Sequence, residues 1–361
     1  MESLVNQQSL ENFYKGKKVF VTGHTGFKGA WFITWLHQLG AEIKGYALEP
    51  ENKEAIYNII SPFVSHESII ADIRNLEKLA KEISDFKPDF IFHLAAQALV
   101  RRSYSSPSET FDVNVTGTAN VLEAVVKADH TCTIIIVTTD KVYENKEHHI
   151  AYKEGDRLGG YDPYSASKAC AEIVVQSFSK SFFSKEINQD QQKYLATVRA
   201  GNVIGGGDFS ADRIVPDIIK HLKTGEKIPV RNPTAIRPWQ HVLEPLGGYL
   251  LAGGLINSHA HKLSAAYNFG PELNDHLTVG ELVEAAIENW GSGSWIDVSE
   301  KNQPHEAGIL KLNIDLAKKE LQWHPKLDSA TAIQWTIDWY KQAAGSLYDF
   351  TLEQIKIYQD L

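Results

Sequence analysis

The residues with the clearest chemical potential are Tyr164 and Lys168, four positions apart in the segment 160–171. Pro163 suits the first turn of a helix, and the Ala, Ser and Lys residues after it favour one. On that helix Tyr164 and Lys168 share a face. A positive charge beside a phenol favours the phenolate, so we expect a lowered tyrosine pKa and a general base. An isolated pair at this spacing is more often a plain surface pair, so the interpretation depends on the rest of the chain.

A second reactive group, formed by Thr139, Asp140 and Lys141, follows the β-branched run at 131–138. This run predicts a strand. In open α/β sheets, ligands bind at the carboxyl ends of the strands. A hydroxyl, a carboxyl and an amine at such an end suit acid–base chemistry. The alternative is an ordinary polar turn.

The elements that must position these groups begin with a strand at 17–22 and an apolar helical pattern at 30–39. Between them stand Gly23, Gly26 and Gly29. Glycines let the backbone approach a pyrophosphate, which binds at the helix N-terminus. The spacing is G-x-x-G-x-x-G rather than G-x-G-x-x-G, and a plain strand–helix turn is the alternative. Its place after the first strand favours dinucleotide binding.

Polar residues near later strand ends have two interpretations each. Glu49 is the acid nearest the end of the second strand, where a carboxylate often binds the adenosine ribose, or it is a solvated loop charge. No arginine stands in that loop, which favours NAD over NADP. Asp72 is either an adenine ligand or a helix cap. His93 is predicted to be a packed histidine.

The remaining predicted elements are strands at 42–48, 68–73, 89–97 and 194–199 and helices at 108–128, 164–183, 244–255, 278–290 and 330–340.

This alternation of strands and helices predicts an α/β fold with a Rossmann-type, doubly wound parallel sheet. We expect residues 15–200 to form the NAD-binding domain, which also receives parts of the later chain. Residues 201–361 are expected to form mainly a smaller, mixed region that binds the substrate, because the alternation becomes irregular there. The polar stretch 184–193 is predicted to be a loop.

Composition narrows the functional classes. The chain has 361 residues, of which 43% are hydrophobic and 22% charged, as in ordinary globular proteins. A formal net charge of −9 argues against a general nucleic-acid surface. Cys132 and Cys170 stand in no metal-like spacing and offer no disulfide framework. We therefore expect no metal site. Since no apolar run reaches membrane-spanning length and no signal core is present, we expect a cytoplasmic protein.

Taken together, the motifs resemble the extended short-chain dehydrogenase/reductase family of nucleotide-sugar enzymes. The resemblance covers residues 15–345. Within the family, the sequence is most similar to the 4,6-dehydratases that act on CDP-glucose, which share Asp-Lys at 140–141 where related dehydratases have Asp-Glu. The residues that carry the family resemblance are Gly23, Gly26, Gly29, Asp72, Leu94, Ala95, Ala96, Asn114, Tyr164, Lys168 and Asn202. The residues that carry the narrower likeness lie at 23–31, 45–48, 139–141, 205–208 and 237–241.

The resemblance implies an NAD-dependent lyase that oxidises the sugar at C4, eliminates water across C5 and C6, and returns the hydride to C6. It implies that Tyr164 with Lys168 removes the 4-OH proton and that Thr139 orients this hydroxyl. Lys141, as a neutral amine, would take the C5 proton, and Asp140, as a neutral acid, would protonate the leaving 6-OH. The implied cofactor contacts are Gly23, Thr25, Gly26, Phe27, Gly29, Asp72, Ile73, Leu94, Ala95, Ala96, Thr138, Tyr164 and Lys168.

The implied substrate contacts are fewer, and what reads the cytosine base stays open. Trp239 and Gln240 are candidates for the base, and Arg231 is a further cation near the expected diphosphate site. The substrate contacts implied by the resemblance are Gln97, Asn202, Arg213, Arg237 and Trp239.

Three alternatives remain from the sequence: a 4-epimerase, which needs Tyr164 and Lys168 alone, a dehydratase for another nucleotide sugar, and a non-catalytic binding protein. The family also implies a homodimer or homotetramer through the helices at 108–128 and 164–183. Apolar residues on these helices, such as Val121, Val125, Ile173 and Val174, would face either a partner or the sheet.

Overall fold

The computed structural model describes residues 7–146, 150–183, 192–259, 263–299 and 310–361. Most of the predicted loop at 184–193 therefore lies outside the described residues. In chain order the strands are β1 Lys18–Thr22, β2 Glu42–Ala47, β3 Glu67–Ile70, β4 Phe90–His93, β5 Cys132–Val137, β6 Lys193–Ala200, β7 Val203–Ile204, β8 Ile228–Val230, β9 Ile236–Arg237, β10 Gln240–His241, β11 Ala266–Phe269, β12 Leu277–Thr278 and β13 Trp295–Asp297.

Helices alternate with these strands through most of the chain. They are α1 Gln7–Tyr14, α2 Phe27–Gln38, α3 Ile56–Ile60, α4 Leu76–Phe86, α5 Val100–Ser105, α6 Pro107–Phe111, α7 Gly117–Lys127, α8 Pro163–Ser181, α9 Ile214–Thr224, α10 Leu243–His259, α11 Val279–Trp290, α12 Ser329–Lys341 and α13 Leu347–Asp360.

Seven of the strands form one parallel sheet in the order β11-β6-β5-β4-β1-β2-β3. Every residue of β4 and β5 is buried. Continuous apolar strands of this kind need cover on both faces, and two hydrophobic clusters supply it. The predicted doubly wound α/β fold is therefore confirmed. The strand order reverses between β1 and β4, which opens a crevice at their carboxyl ends.

The smaller pairings lie in the second half of the chain, where β7 pairs with β10, β9 with β12 and β8 with β13. This irregular set agrees with the loss of regular alternation in the sequence. The predictions missed α1, α9, α13 and the edge strand β11, which pairs with β6. Strand β11 is short, and its pairing with residues far away in the sequence decides its conformation.

The predicted helix at 108–128 is continuous but irregular. A π-helical turn at Asp112–Thr116 separates α6 from α7. Within this turn, Asn114 accepts a hydrogen bond from the Gln97 amide at 2.9 Å and donates to the Ser167 hydroxyl at 2.9 Å. A π-helical turn redirects side chains locally and is frequent near functional sites. Through its two hydrogen bonds, Asn114 in this turn connects the segment that follows β4 to α8.

Some of the apolar residues noted on the helices at 108–128 and 164–183 lie in the core, and others lie at the surface. Val121 and Val125 are fully buried and face the core, whereas Ile173 is 56% exposed. Cys132 and Cys170 are both unpaired. In the described part of the chain, the helices are too short or too polar to cross a membrane.

Candidate active site

A cleft of about 1190 Å³ runs along the carboxyl ends of β1, β4 and β5 and continues into the second half of the chain. Apart from Gln240, a candidate for the base, every residue that the sequence assigned to catalysis, cofactor or substrate lines it. Its lining includes the glycine turn after β1 and the three arginines Arg213, Arg231 and Arg237. The parallel arrangement explains this, because loops that follow parallel strands meet at one edge of the sheet.

The glycine turn has the geometry of a dinucleotide site. Gly23 has a φ of +77°, and a Cβ there would lie 2.7 Å from the Ala95 amide nitrogen. A Cβ on Gly29 would lie 2.0 Å from the Gly23 carbonyl oxygen. Gly26 precedes α2 and supplies no side-chain cap, so the first N–H groups of α2 are available to an anion. These residues fit the pyrophosphate of a dinucleotide such as NAD.

The neighbourhood of Asp72 differs from the prediction. Strand β3 ends at Ile70, and Asp72 lies in the following turn, where its carboxylate contacts Arg74 Nη2 at 2.6 Å. Hydrogen bonds from Arg74 hold the pKa of Asp72 below its usual value. The helix-cap interpretation is wrong, because Asn75 caps α4 by accepting from the Lys78 amide. Asp72 still lines the cleft, as do Glu49 and Ile73.

The adjoining backbone after β4 is held by a packed histidine, as predicted. His93 is 1% exposed and bonds through its ring nitrogens to the hydroxyls of Thr22 and Thr118, at 2.7 and 3.2 Å. The Ala95 amide donates to the Thr22 hydroxyl at 3.2 Å. These bonds fix the segment Leu94, Ala95 and Ala96, which lines the cleft next to the glycine turn.

Helix α8 brings Tyr164 and Lys168 together on its buried face. Pro163 occupies the first helical position, and Asp162 caps the helix by accepting from the Ser165 amide at 2.9 Å. Tyr164 is 8% exposed and Lys168 5%, and the Lys168 ammonium donates to the Val137 carbonyl at 3.0 Å. The pair therefore faces the end of β5.

The expected lowering of the tyrosine pKa is wrong for this structure. Burial raises the pKa of Tyr164 to about 12, although its hydrogen bond with Thr139 and the positive Arg213 oppose that rise. Burial also lowers the pKa of Lys168 to about 8, against the negative Glu172. Desolvation disfavours the charged form of each group, and it outweighs the hydrogen bond and the opposite charges that act on them.

The group at 139–141 forms a short 3₁₀ turn directly after β5. Asp140 is fully buried, and its Oδ1 accepts from the Thr139 hydroxyl at 2.8 Å and lies 3.5 Å from Lys141 Nζ. Its other oxygen, Oδ2, has no hydrogen-bond partner among the described residues. A Cβ on Gly201 would lie 3.0 Å from Oδ2, so glycine leaves room for the carboxyl. An acid and an amine thus stand beside the Tyr164 phenol.

The residues predicted for the substrate line the cleft, but several are engaged in local contacts. The Gln97 amide donates to Thr110 Oγ1 and Leu99 O and accepts from the Leu99 amide. Arg213 pairs with Asp208 at 2.9 Å. Such a pair presents the guanidinium in a fixed orientation. Asn202 carries a buried side-chain oxygen without a partner among the described residues.

The two candidates for reading the base differ in position. Trp239 lines the cleft and donates from its indole to the Leu277 carbonyl at 3.2 Å. Gln240 is 2% exposed, donates to the Phe269 carbonyl at 3.0 Å and is not among the described residues that line the cleft. The structure therefore removes Gln240 as a direct contact. Arg237 lines the cleft and donates to the Ile236 carbonyl at 3.0 Å.

Three residues at this site were not recognised from the sequence. Lys28, in the first turn of α2, lines the cleft, and its ammonium lies 5.9 Å from the ring centre of the buried Tyr249. Burial, followed by the positive charges of Arg213 and Lys168, lowers the pKa of Lys28 to about 7. Glu172 lies one helical turn after Lys168. The spacing 164–168–172 was a signal for it, whereas nothing local indicated Tyr249. Within the described ranges, no cluster of His, Cys, Asp and Glu side chains suits a metal.

The chain is similar in sequence to known 4,6-dehydratases. The profile of a family described as GDP-mannose 4,6 dehydratase matches residues 20–336. The CDP-glucose 4,6-dehydratase of Salmonella typhimurium is 44% identical over 332 residues, which are 92% of either chain.

Solved structures share the fold. A dTDP-glucose 4,6-dehydratase from Streptomyces venezuelae, solved with NAD bound, has a TM-score of 0.76 at 23% identity and covers 92% of this chain and 99% of its own. A UDP-glucose 4-epimerase from Thermotoga maritima has a TM-score of 0.75 at 20% identity and covers 90% and 98%.

Proposed function

Because the chain belongs to the GDP-mannose 4,6 dehydratase family, we propose that it is an NAD-dependent lyase that converts CDP-glucose to CDP-4-keto-6-deoxyglucose and water. The observation that carries the proposal is that Asp140 and Lys141 line the same cleft as Tyr164 and Lys168. An epimerase needs only the second pair, whereas elimination of water needs an acid and a base as well. The identity to a CDP-glucose enzyme supports the choice of nucleotide.

The glycine turn at Gly23, Gly26 and Gly29 would hold NAD, which would supply a hydride acceptor for C4 and a hydride donor for C6. In the proposed sequence, Tyr164 takes the proton of the 4-OH, and Thr139 orients that hydroxyl. The cations of Lys168 and Arg213 stabilise the phenolate, which burial alone disfavours. Oxidation comes first because the ketone at C4 acidifies the C5 hydrogen.

The elimination step requires an acid and a base. Lys141 is the proposed base that removes the C5 proton, and Asp140 is the proposed acid that protonates the departing 6-OH. Asp140 suits this role because it is fully buried and its Oδ2 has no partner among the described residues, which leaves one oxygen free for a proton. The buried cleft wall would also limit access of water to the reactive enone.

The diphosphate of the substrate is proposed to contact Asn202, Arg213 and Arg237, which line the cleft. Arginine matches phosphate oxygens in a fork of N–H donors. Trp239 is proposed to pack against the base. Gln97 contributes mainly through the loop geometry that its amide bonds maintain.

The direct test is to incubate the protein with CDP-glucose, UDP-glucose, dTDP-glucose and GDP-glucose in separate reactions and to analyse the products by mass spectrometry and NMR. We expect a 4-keto-6-deoxy sugar from CDP-glucose. Only the 4-epimer of a sugar, with no loss of water, would overturn the dehydratase proposal. A dehydrated product from another nucleotide alone would correct the substrate.

We also propose a homodimer or homotetramer that uses α7 and α8. The exposed Ile173 on α8 supports this, whereas Val121 and Val125 on α7 face the core and do not. Light scattering after gel filtration would test it, and a monomer at micromolar concentration would contradict it. The cytoplasmic location stays a prediction.

A further inference from the structure

A buried ion pair joins Glu172 of α8 to Arg199 of β6 directly behind the Tyr164–Lys168 pair. Glu172 is 1% exposed and Arg199 2%. The contact is bidentate, with Arg199 Nε and Nη2 each 2.8 Å from a carboxylate oxygen. Burying two charges costs desolvation energy that a hydrophobic pair would not cost. Stability alone is therefore a poor explanation for this pair.

The Glu172 carboxylate is also bonded to the strand that carries the acid–base group. Its Oε1 accepts from the Thr138 hydroxyl at 2.6 Å, and its Oε2 accepts from the Thr197 hydroxyl at 2.9 Å. Thr138 immediately precedes Thr139. Four hydrogen bonds thus hold a full negative charge at the carboxyl end of β5.

Arg199 connects the same pair to the chain that follows Lys141. Its Nη1 donates to the Tyr143 hydroxyl at 2.8 Å and to the Glu154 carbonyl at 3.0 Å. The Tyr143 hydroxyl donates in turn to Asn268 Oδ1 at 2.7 Å. The pair is therefore the centre of a polar network that includes α8, β5, β6 and β11.

Lys168 lies in a surrounding that disfavours its positive charge. Its ammonium donates to the Val137 carbonyl, and burial lowers its pKa to about 8. Glu172 lies on the same helical face one turn later and opposes that lowering. Lys168 interacts electrostatically with Glu172 on α8, Lys28 on α2 and His93 on β4. The other charged or titratable groups on the elements around it are Tyr164, Asp140, Lys141 and Arg213, which line the same cleft, and Arg199, which contacts Glu172.

We propose that Glu172 is a positioning residue that keeps Lys168 in its ammonium form, and that Arg199 sets how much of the Glu172 charge reaches Lys168. The inference rests on the proposed function, in which protonated Lys168 stabilises the Tyr164 phenolate. It assigns the buried pair a part in the reaction although neither member touches the substrate.

The proposal predicts opposite effects for the two partners. Glu172→Gln removes the anion, so Lys168 should lose its proton at a pH about one unit lower, and the alkaline limb of the kcat profile should move down with it. Arg199→Met leaves the anion uncompensated. The pH at which Lys168 loses its proton and the alkaline limb of the kcat profile should therefore both move higher. Either single variant leaves one buried charge unpaired and should lower Tm.

The double variant Glu172→Gln, Arg199→Met separates the two roles. It buries no unpaired charge, so Tm should recover towards wild type. It still lacks the anion, so the alkaline limb should stay at the lower pH. Glu244→Gln, which alters another fully buried carboxyl on α10, is the matched control and should leave the titration of Lys168 unchanged.

The titration of Lys168 is measured without any substrate by competitive acetylation across pH, followed by peptide mass spectrometry. An unchanged half-labelling pH in the double variant would overturn the proposal, as would a kcat that recovers together with Tm at every pH. If wild type makes no dehydrated sugar, the proposed function fails by itself, because the labelling still reports the relation between Glu172 and Lys168.

Discussion

Tyr164 is the residue on which the proposed oxidation depends, and its chemistry is set by opposing forces. Burial raises the pKa of its phenol to about 12, while Thr139 and Arg213 act in the other direction. A buried phenol of this kind acts as a base only when hydrogen bonds and cations stabilise the phenolate in place of water. Formation of the phenolate is therefore expected to depend on the Thr139 hydroxyl and on the positive charge of Arg213.

Tyr164→Phe should reduce formation of the 4-keto-6-deoxy product about 10²- to 10⁴-fold, the usual contribution of a positioned general base. Binding of CDP-glucose, measured by calorimetry, should change little, because the ring remains. Tyr161→Phe is the matched control, since Tyr161 also lines the cleft but is 79% exposed. Equal losses in the two variants would contradict the role of Tyr164.

Lys141→Met should separate elimination from oxidation. Without the amine, the C5 proton stays in place, so reduced nicotinamide should accumulate and C5 should not exchange with deuterated solvent. Rapid-quench NMR and nicotinamide absorbance measure the two effects, with the exposed Lys146→Met as control. Exchange at the wild-type rate in Lys141→Met would move the role to another amine, of which Lys28 also interacts electrostatically with Asp140.

At the scale of elements, the turn between β1 and α2 determines where a cofactor lies. Its shape comes from close backbone contacts, since Gly23 packs against Ala95 and Gly29 against Gly23. Any side chain at these positions would push α2 away from the sheet. The turn also places Lys28 in the cleft, because the residue lies in the first turn of the same helix.

Gly29→Ala should weaken NAD binding strongly and destabilise the protein by about 1–3 kcal/mol, because the added methyl would meet the Gly23 carbonyl. Calorimetric titration with NAD and thermal unfolding measure the two effects. Gly155→Ala is the control, since a Cβ there meets nothing within 4 Å. Wild-type NAD affinity in Gly29→Ala would mean that the backbone does not approach the pyrophosphate here.

Across the whole molecule, the Glu244 side chain connects three segments of the second half of the chain by hydrogen bonds. Its carboxylate is fully buried and accepts from the amides of Lys326 and Leu327, at 2.8 and 2.7 Å, and from the Tyr358 hydroxyl at 3.0 Å. One side chain thus joins α10, the segment before α12, and α13. Burial raises the pKa of Glu244 from its ordinary 4.5 to about 7.

This raised pKa predicts a loss of stability with rising pH. The folded protein binds the Glu244 proton more tightly than the unfolded chain, so the free energy of unfolding should fall by about 3 kcal/mol as pH rises from 4.5 to above 7. Glu244→Gln should remove this dependence, while Glu123→Gln, in an exposed ion pair on α7, should keep it. Denaturant unfolding at several pH values measures it, and identical slopes in wild type and Glu244→Gln would contradict the assignment.

From the amino-acid sequence alone we could predict the parallel α/β architecture, the glycine turn after β1, the helix that begins at Pro163 and the residues that meet at the cleft. These features depend on local properties: hydrophobic periodicity, turn chemistry and helix capping act within a few residues of one another. The meeting of the reactive groups then follows, because groups that come after parallel strands lie at one edge of the sheet.

The contact partners and the charge environment of the site residues depend on the tertiary structure. It paired Asp72 with Arg74, buried Gln240 away from the cleft and placed Arg199 against Glu172. It also raised the pKa of Tyr164, where the sequence predicted a lowered one. Desolvation and Coulomb interactions depend on distances between residues far apart in the chain, and the local pattern of residue types does not contain those distances.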